Sequence, residues 1–177
     1  MTEQRRLTGR DGRLHVMTFN LRYASDSSPN SWADRRPVMR ALLREERPHS
    51  LGTQEGLCHQ PQDIHADVGE HYAWIGTSRA GGSRDEFAAL FYDTWRPRPI
   101  AYDHFWLSDT PELIGSTTWG NSVVRMARWM RFVDLSDGGK EFCVLDTHLD
   151  HHVQVARVKS VELIASRIAA LDTSCRC

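Results

Sequence analysis

Short apolar runs bounded by turn residues recur along this chain and predict strands, because a buried strand appears in a sequence as a brief hydrophobic segment. Seven segments are predicted as strands: residues 14–19, 50–54, 72–76, 87–92, 100–107, 125–135 and 141–147. The Asp-Gly-Gly-Lys sequence at 137–140 lies between the last two and is typical of a hairpin turn. The pattern therefore predicts that the last two strands pair with each other.

Three other segments place apolar residues at helical spacing. The first carries an apolar stripe made of Val38, Met39, Leu42 and Leu43. Ser31 can cap this helix, but Pro37 is tolerated only near a first turn, so we expect the regular helix to begin about Pro37 and to end at Pro48. A weak helix is predicted at 62–68 and a long one at about 152–171. The long helix has one apolar side, formed by Val153, Ala156, Ser160, Leu163, Ile164 and Ile168.

The elements run strand, helix, strand, helix, then several consecutive strands, then the last helix. This order predicts an α/β (α+β) fold with a mixed sheet and helices on one face, rather than a strictly alternating parallel fold. A chain of 177 residues suits one domain, which we place at 13–171 after a flexible N-terminus at 1–12. Only a short tail, 172–177, follows the long helix, so we expect the architecture to be incomplete.

Charge and composition narrow the classes of partner. Lys plus Arg number 22 against 23 Asp plus Glu, so no strong overall field favours a nucleic acid or an acidic membrane. The polar first thirteen residues contain no apolar run of a signal peptide, and no stretch approaches a membrane span, so we expect a cytoplasmic protein. The four cysteines form no zinc pattern, and we predict no structural disulfide.

An amide, a carboxylate and an imidazole each follow a predicted strand. Asn20 follows the first strand, Glu55 the second and His148 the last. The ends of strands are where an α/β sheet collects its chemistry. Glu55 is either a cap for the following segment or a ligand of a hard cation such as Mg²⁺. Asn20 is either a turn former or a residue that contacts a metal or a phosphate.

Two histidines and two aspartates crowd together at 146–151, at the end of an apolar strand. Burying such charge costs free energy unless it serves a purpose. The segment is either a solvated turn in which Asp150 caps the last helix, or part of a site that uses His148 and Asp150. Glu86 is by default an exposed turn carboxylate, and it could instead orient a histidine.

Six short stretches, taken in order, resemble the endonuclease/exonuclease/phosphatase family of metal-dependent phosphoesterases, which includes DNase I-like nucleases. The stretches are Met-Thr-Phe-Asn-Leu-Arg-Tyr at 17–23, Gly-Thr-Gln-Glu-Gly-Leu at 52–57, Glu-Phe-Ala-Ala-Leu-Phe-Tyr at 86–92, Phe-Trp-Leu-Ser-Asp-Thr-Pro-Glu at 105–112, Arg-Met-Ala-Arg-Trp at 125–129 and Asp-Thr-His-Leu-Asp-His at 146–151. The resemblance is greatest to bacterial members with a Thr-His-Leu-Asp-His segment. It implies a DNase I-like β-sandwich flanked by helices.

The resemblance also implies a role for each matched residue. Glu55 looks like a direct ligand of Mg²⁺ or Mn²⁺, and Asn20 looks like a residue of the metal and substrate site. Arg125 aligns with an arginine that contacts phosphate, and His148 with a histidine that stabilises charge on the phosphoryl oxygens. Glu86 matches the carboxylate that supports the histidine. Together with Asp150, these residues form the predicted site for hydrolysis of a phosphate ester.

The chain departs from the family pattern in three places. His49 stands where the family usually has Asp, and Asp146 stands where Asn is usual. A Gly-Asp-Phe-Asn-like strand and a late Ser-Asp-His segment are absent from the sequence. We therefore expect the C-terminal part of the second sheet to be missing, a tail at 172–177 foreign to the family, and low or no activity from this chain alone.

Two alternatives remain open at this point. One is a zinc hydrolase of the metallo-β-lactamase type, with His148, Asp150 and His151 as ligands. The other is an inactive remnant that binds phosphate or a partner chain. The nearly neutral charge favours small phosphodiesters or phosphomonoesters over a long nucleic acid. The sequence points to no particular protein partner and to no membrane.

Overall fold

The computed structural model describes residues 13–171, so the predicted flexible N-terminus and the predicted foreign tail lie outside the described residues. Within this range the elements are β1 (Val16–Asn20), α1 (Trp32–Glu46), β2 (Ser50–Gly56), α2 (His59–Val68), β3 (Tyr72–Ser78), β4 (Phe87–Asp93), β5 (Pro97–Trp106), β6 (Met126–Asp134), β7 (Glu141–Thr147) and α3 (Gln154–Leu171). Each predicted strand and helix has a counterpart, although several ends differ by a few residues.

The strands form two sheets, so the expectation of one mixed sheet is wrong. The first sheet has the order β1-β2-β4-β3, with β1 parallel to β2 and the other pairs antiparallel. The second sheet has the order β5-β6-β7 and is antiparallel. Both edges of β4 are already paired, with β2 and with β3, so β5 cannot pair with the strand that precedes it, and it begins the second sheet.

The helices cover the outer faces of both sheets, which corrects the expectation of helices on one face. Met39 and Leu43 of α1 and Ile64 of α2 pack against the first sheet, and Ala156 of α3 packs against the second. The two sheets face each other across an apolar layer made of Leu90, Met130, Phe132 and Val144. The predicted DNase I-like β-sandwich flanked by helices is confirmed.

Helix α1 begins at Trp32, five residues before Pro37, so the predicted start is wrong. Ser31 and Asp34 form a capping box, in which the side chain of each residue accepts a hydrogen bond from the backbone N–H of the other. The indole of Trp32 also donates to Asp63 at 2.7 Å, which ties the first turn to α2. These contacts offset the backbone hydrogen bond that Pro37 removes from the second turn.

The ends of β1, β2 and β7, which precede Asn20, Glu55 and His148 or contain them, lie at one end of the sandwich. The register pairs Asn20 with Gln54, Gly56 with Phe87 and Ala127 with Thr147. The ends of β1, β2 and β7 therefore lie beside the starts of β4 and β6. The segments that immediately follow or precede these ends meet along one rim. No helix among residues 13–171 has the length and apolar character needed to cross a membrane.

Candidate active site

A cleft lies along this rim and is lined by residues from both sheets. Its lining consists of Gln54, Glu55, Arg79, Glu86, Phe87, Ala88, Val124, Arg125, Met126 and His148. Four of the predicted site residues, Glu55, Glu86, Arg125 and His148, are therefore in the lining. Asn20 joins them through a hydrogen bond to Glu55.

Glu55 is held in one orientation by two donors. Oε1 accepts from Nδ2 of Asn20 at 2.9 Å, and Oε2 accepts from the backbone N–H of Tyr23 at 3.0 Å. Partial burial works to raise the pKa of Glu55, but the bonds from Asn20 and Tyr23, together with His148 and Arg125, hold it below its usual range. The carboxylate is thus ionised and fixed at the rim.

Asn20 orients Glu55 through its amide nitrogen. Its amide oxygen, in turn, accepts from the backbone N–H of Arg22 at 2.7 Å. Both ends of the amide are therefore engaged with the protein. This geometry makes Asn20 a residue that positions the carboxylate, with Glu55 as the exposed oxygen donor.

His148 follows β7 and faces Glu55 across the cleft. Its Nε2 lies 3.7 Å from Oε1 of Glu55, and its Nδ1 lies 2.8 Å from Nη1 of Arg125. A guanidinium can only donate, so Nδ1 accepts and the proton of the neutral ring sits on Nε2. Burial and the nearby Arg125 lower the pKa of His148 below its usual value. The ring therefore presents a neutral N–H donor to the cleft.

Arg125 anchors both imidazoles of the His148 segment. Besides its contact with His148, Nη2 lies 3.2 Å from Nδ1 of His151. Its Nε is 4.0 Å from a carboxylate oxygen of Asp150, and the side chain is only 7% exposed. Burial lowers the pKa of Arg125, yet a guanidinium keeps its charge at any ordinary pH. The cleft thus has a fixed positive charge behind His148.

Asp150 lies in the turn between β7 and α3 and is not among the residues that line the cleft. Its Oδ1 accepts from the backbone N–H groups of His152 at 2.9 Å and Val153 at 2.7 Å. Its other oxygen faces Arg125. Asp150 therefore holds the turn before α3 and lies beside Arg125, outside the lining of the cleft.

Glu86 enters the cleft with Arg79, a residue that the sequence did not single out. Nη1 of Arg79 donates to Glu86 at 2.9 Å, and Nη2 lies 2.9 Å from Asp85. Burial raises the pKa of Glu86, while Arg79 opposes that effect. Among residues 13–171, no hydrogen bond joins Glu86 to His148. The predicted support of His148 by Glu86 is replaced here by Arg125.

The zinc alternative fails on the same contacts. The Nδ1 atoms of His148 and His151 both face the guanidinium of Arg125, and Oδ1 of Asp150 accepts from two backbone N–H groups. No group of three or more His, Cys, Asp or Glu side chains in the described part of the chain is placed to hold a metal ion.

His49, the first departure from the family pattern, immediately precedes β2, at the opposite end of that strand from Glu55. Its Nδ1 accepts from the backbone N–H of His15 at 2.8 Å, and the residue is 4% exposed. It holds the start of β1 against the start of β2. The departure at His49 therefore affects the opposite end of the sheet from the cleft.

Solved structures with the same fold include several close matches. An endonuclease/exonuclease/phosphatase from Bacteroides vulgatus is 32% identical, with a TM-score of 0.84 over 89% of this chain and 60% of its own. A mannosyl-6-phosphatase from Bacteroides thetaiotaomicron is 31% identical, with a TM-score of 0.84 over 92% of this chain and 61% of its own. The human nocturnin catalytic domain, 16% identical with a TM-score of 0.67, shares the fold over 89% of this chain and 60% of its own.

These structures confirm that the chain resembles the endonuclease/exonuclease/phosphatase family along most of its length and has the family fold. The chain spans about three fifths of the length of the solved relatives. No protein-family model and no curated protein matches the sequence.

Proposed function

We propose that this chain carries the N-terminal part of a phosphoesterase site that uses Mg²⁺ or Mn²⁺ and acts on a small phosphate ester. The observation that carries the proposal is the meeting of Glu55, Asn20, Arg125 and His148 at one rim. They come from four separate stretches of sequence. Each provides a group that phosphoryl transfer requires: an oxygen ligand, its orienting amide, a fixed cation and an N–H donor.

Arg125 and His148 would contact a phosphoryl group in different ways, one as a cation and the other as a neutral hydrogen-bond donor. Arg125 supplies a buried positive charge next to the position of a phosphoryl group. His148 presents its Nε2–H toward the same space, where it can donate to a phosphoryl oxygen as negative charge builds up on it. Because Arg125 already holds Nδ1, the donor needs no reorientation during the reaction. Such preorganised donors are worth about 10²–10³ in rate each.

Glu55 fits a hard divalent cation. It is ionised, held by two hydrogen bonds, and about one quarter of its side chain is exposed. When bound, the cation would act as a Lewis acid on a phosphoryl oxygen. Asn20 and the backbone of Tyr23 keep the carboxylate aimed at the cleft.

The substrate class rests on charge and on one relative. The overall net charge is −1, which does not favour a long nucleic acid. The Bacteroides thetaiotaomicron relative is a phosphatase for mannosyl-6-phosphate. A small phosphomonoester is therefore the substrate that we propose first, with small phosphodiesters second.

The test uses the purified chain, Mn²⁺ or Mg²⁺, and both a phosphomonoester and a phosphodiester of 4-nitrophenol. We expect metal-dependent hydrolysis at a low rate that falls at least tenfold in Glu55→Gln and at least a hundredfold in His148→Ala. Glu45→Gln, on the exposed side of α1, is the matched control and should keep the wild-type rate. Equal rates in all four proteins would overturn the proposal.

The alternative of an inactive remnant also has an observation in its favour. Strand β1 has one strand partner among the described residues, and Val16 on its inner face is 49% exposed. A remnant would show no metal-dependent turnover, while isothermal titration with inorganic phosphate would still show binding that Arg125→Met removes. Turnover above that of Glu55→Gln would exclude the remnant.

A further inference from the structure

Asp146 is a buried carboxylate that lies behind the cleft rather than in it. It is 5% exposed and occupies the inner face of β7. Its Oδ1 accepts a hydrogen bond from Nε2 of Gln54 at 2.5 Å. This bond crosses the sandwich, because Gln54 belongs to β2 in the other sheet. It is a direct side-chain link between the two sheets at the end that carries the cleft.

The facing strand leaves space for this carboxylate at Gly52. A Cβ atom added at Gly52 would lie 2.5 Å from Oδ1 of Asp146, closer than any side chain tolerates. Gly52 and Gln54 share the inner face of β2, since alternate residues of a strand point to the same side. Gly52 leaves space for the carboxyl group of Asp146, and the side-chain amide of Gln54 donates a hydrogen bond to it.

The hydrogen bond between Gln54 and Asp146 lies next to both functional side chains, because Gln54 precedes Glu55 and Asp146 is two residues before His148. The β2–β4 register shifts between Thr53 and Gly56, and Glu55 has a φ of 63°, so the regular ladder to β4 does not hold Glu55. Gln54 is still in register with Asn20 of β1, and its side chain donates to Thr18 at 3.1 Å and to Asp146. On the other sheet, the β6–β7 register ends at Thr147, one residue before His148.

The hydrogen-bonding capacity of the Asp146 carboxyl group is only partly used. Asp146 faces Arg128, its register partner, which is 3% exposed and donates to the backbone oxygen of Ala88 at 3.1 Å. Oδ2 of Asp146 has no hydrogen-bond partner among residues 13–171. Buried polar groups that are only partly satisfied cost free energy, and they persist where geometry at a site requires them.

We infer that Asp146 is a positioning residue, whose bond to Gln54 sets the separation between Glu55 and His148. The inference rests on the proposed function, because that function gives the separation its importance. The two side chains stand 3.7 Å apart in the structure. A misplacement of about 1 Å at a reacting centre can lower a rate about a hundredfold.

Three substitutions distinguish the effect of the Gln54–Asp146 hydrogen bond from the effects of the charge and the volume of the Asp146 side chain. Asp146→Asn keeps an oxygen that accepts from Gln54. Asp146→Leu keeps a similar volume and removes the acceptor. Gly52→Ala displaces the carboxylate by its added Cβ. Asp103→Leu, at an exposed carboxylate of β5, is the matched control for the same chemical change.

The primary measurement is the separation between Oε1 of Glu55 and Nε2 of His148 in crystal structures of the wild type and the variants. We expect it to be kept in Asp146→Asn and in Asp103→Leu, and to widen by about 1 Å in Asp146→Leu and Gly52→Ala. An unchanged separation in Asp146→Leu would overturn the inference. Should Asp146→Leu not fold, the same measurement on Gly52→Ala decides the matter.

Mn²⁺ binding and turnover give the second measurement. We expect Asp146→Leu to weaken Mn²⁺ binding at least tenfold and to lower kcat while KM changes little, and Asp146→Asn to restore both. Wild-type affinity and kcat in a folded Asp146→Leu protein would contradict the inference. If the wild type itself neither binds Mn²⁺ nor turns over substrate, the proposed function fails, and the crystallographic separation still decides the role of Asp146.

Discussion

Glu55 has a backbone conformation that side chains rarely adopt, and so do two other residues near the cleft. Among residues 13–171, the non-glycine residues with positive φ are Arg22, Arg47, Glu55 and Asp85. Arg22 binds the amide oxygen of Asn20, and Asp85 pairs with Arg79, so three of the four flank the cleft. Each such residue costs about 1–2 kcal/mol, and strain of this kind clusters at functional sites.

For individual residues, the sequence predicted which side chains belong to the candidate site, but it did not predict all of their hydrogen-bond partners. Asn20, Glu55 and His148 each follow a predicted strand, the family resemblance adds Arg125, and the structure brings the four together. The contact of Arg125 with Nδ1 of His148, in the place expected for Glu86, was not predicted. A hydrogen-bond partner depends on side-chain directions at two distant positions, and a single sequence carries no record of those directions.

The pKa of Asp146 makes the stability of the protein depend on pH. Burial raises the pKa of this carboxyl to about 7, against the opposing effects of Gln54 and Arg128. In the unfolded chain the pKa returns to about 3.8. Because the folded-state pKa is the higher one, the stability is full below about pH 4 and is lost as the pH rises through about 7. The loss approaches about 4 kcal/mol, since each pKa unit is worth about 1.4 kcal/mol.

Asp146→Asn removes this titration. We expect the variant to unfold with a free energy close to that of the wild type near pH 4 and higher by up to about 4 kcal/mol at pH 8. Urea unfolding at several pH values measures the difference. Asp137→Asn, in the exposed β6–β7 turn, is the control and should show no comparable growth with pH. A difference for Asp146→Asn that stays constant across this range would contradict the prediction.

At the scale of elements, the start of α1 shows two local rules in competition. The preference of proline for a first turn predicted a start about Pro37. The capping box formed by Ser31 and Asp34 starts the helix at Trp32 instead. Ser31 itself was recognised as a possible cap, so both signals were present in the sequence. Their relative weight was decided by tertiary contacts, among them the bond from Trp32 to Asp63.

Ser31→Ala tests the capping box. The substitution leaves the backbone N–H of Asp34 without its side-chain acceptor, and we expect a loss of about 1 kcal/mol in the free energy of unfolding. For a domain of this size that corresponds to about 2–4 °C in Tm. Ser27→Ala, in the preceding loop, is the matched control. A Tm equal to that of the wild type would show that the helix start depends on packing alone.

At the scale of the whole molecule, the first sheet extends one strand beyond the second. Strand β2 contacts β7 across the sandwich, and β1 lies beyond β2. Val16, Thr18 and Asn20 on the inner face of β1 are all exposed. Strand β5 is an edge of the second sheet, and Pro97, Pro99 and a register shift protect it against pairing with another chain. Strand β1 is an edge of the first sheet and carries no charge and no proline. Among residues 13–171, the outer edge of β1 is therefore an open edge of the sandwich.

Because β1 is an edge strand, we expect its backbone amides to be less protected against hydrogen exchange than those of a central strand. We expect the amides of β1 to exchange with deuterium faster than those of β4, because β4 is paired on both sides and buried on both faces. Hydrogen–deuterium exchange with mass spectrometry measures the contrast. Equal protection of β1 and β4 would contradict the prediction and would show that the edge is covered in solution. A sedimentation experiment on the same sample would then show whether a second copy covers it.

The sequence by itself determined the elements and the chemical groups at their ends. Alternation and turn residues are local properties, so the strands, the hairpin at 137–140 and the placement of Asn20, Glu55 and His148 could be deduced from neighbouring residues. The resemblance to a known family implied the sandwich, but only the tertiary structure decided which strands pair in each sheet, that Arg125 contacts His148, and that Asp146 reaches Gln54. Those features depend on contacts between residues far apart in the chain, where packing and charge at close range select one arrangement among many that the local pattern permits.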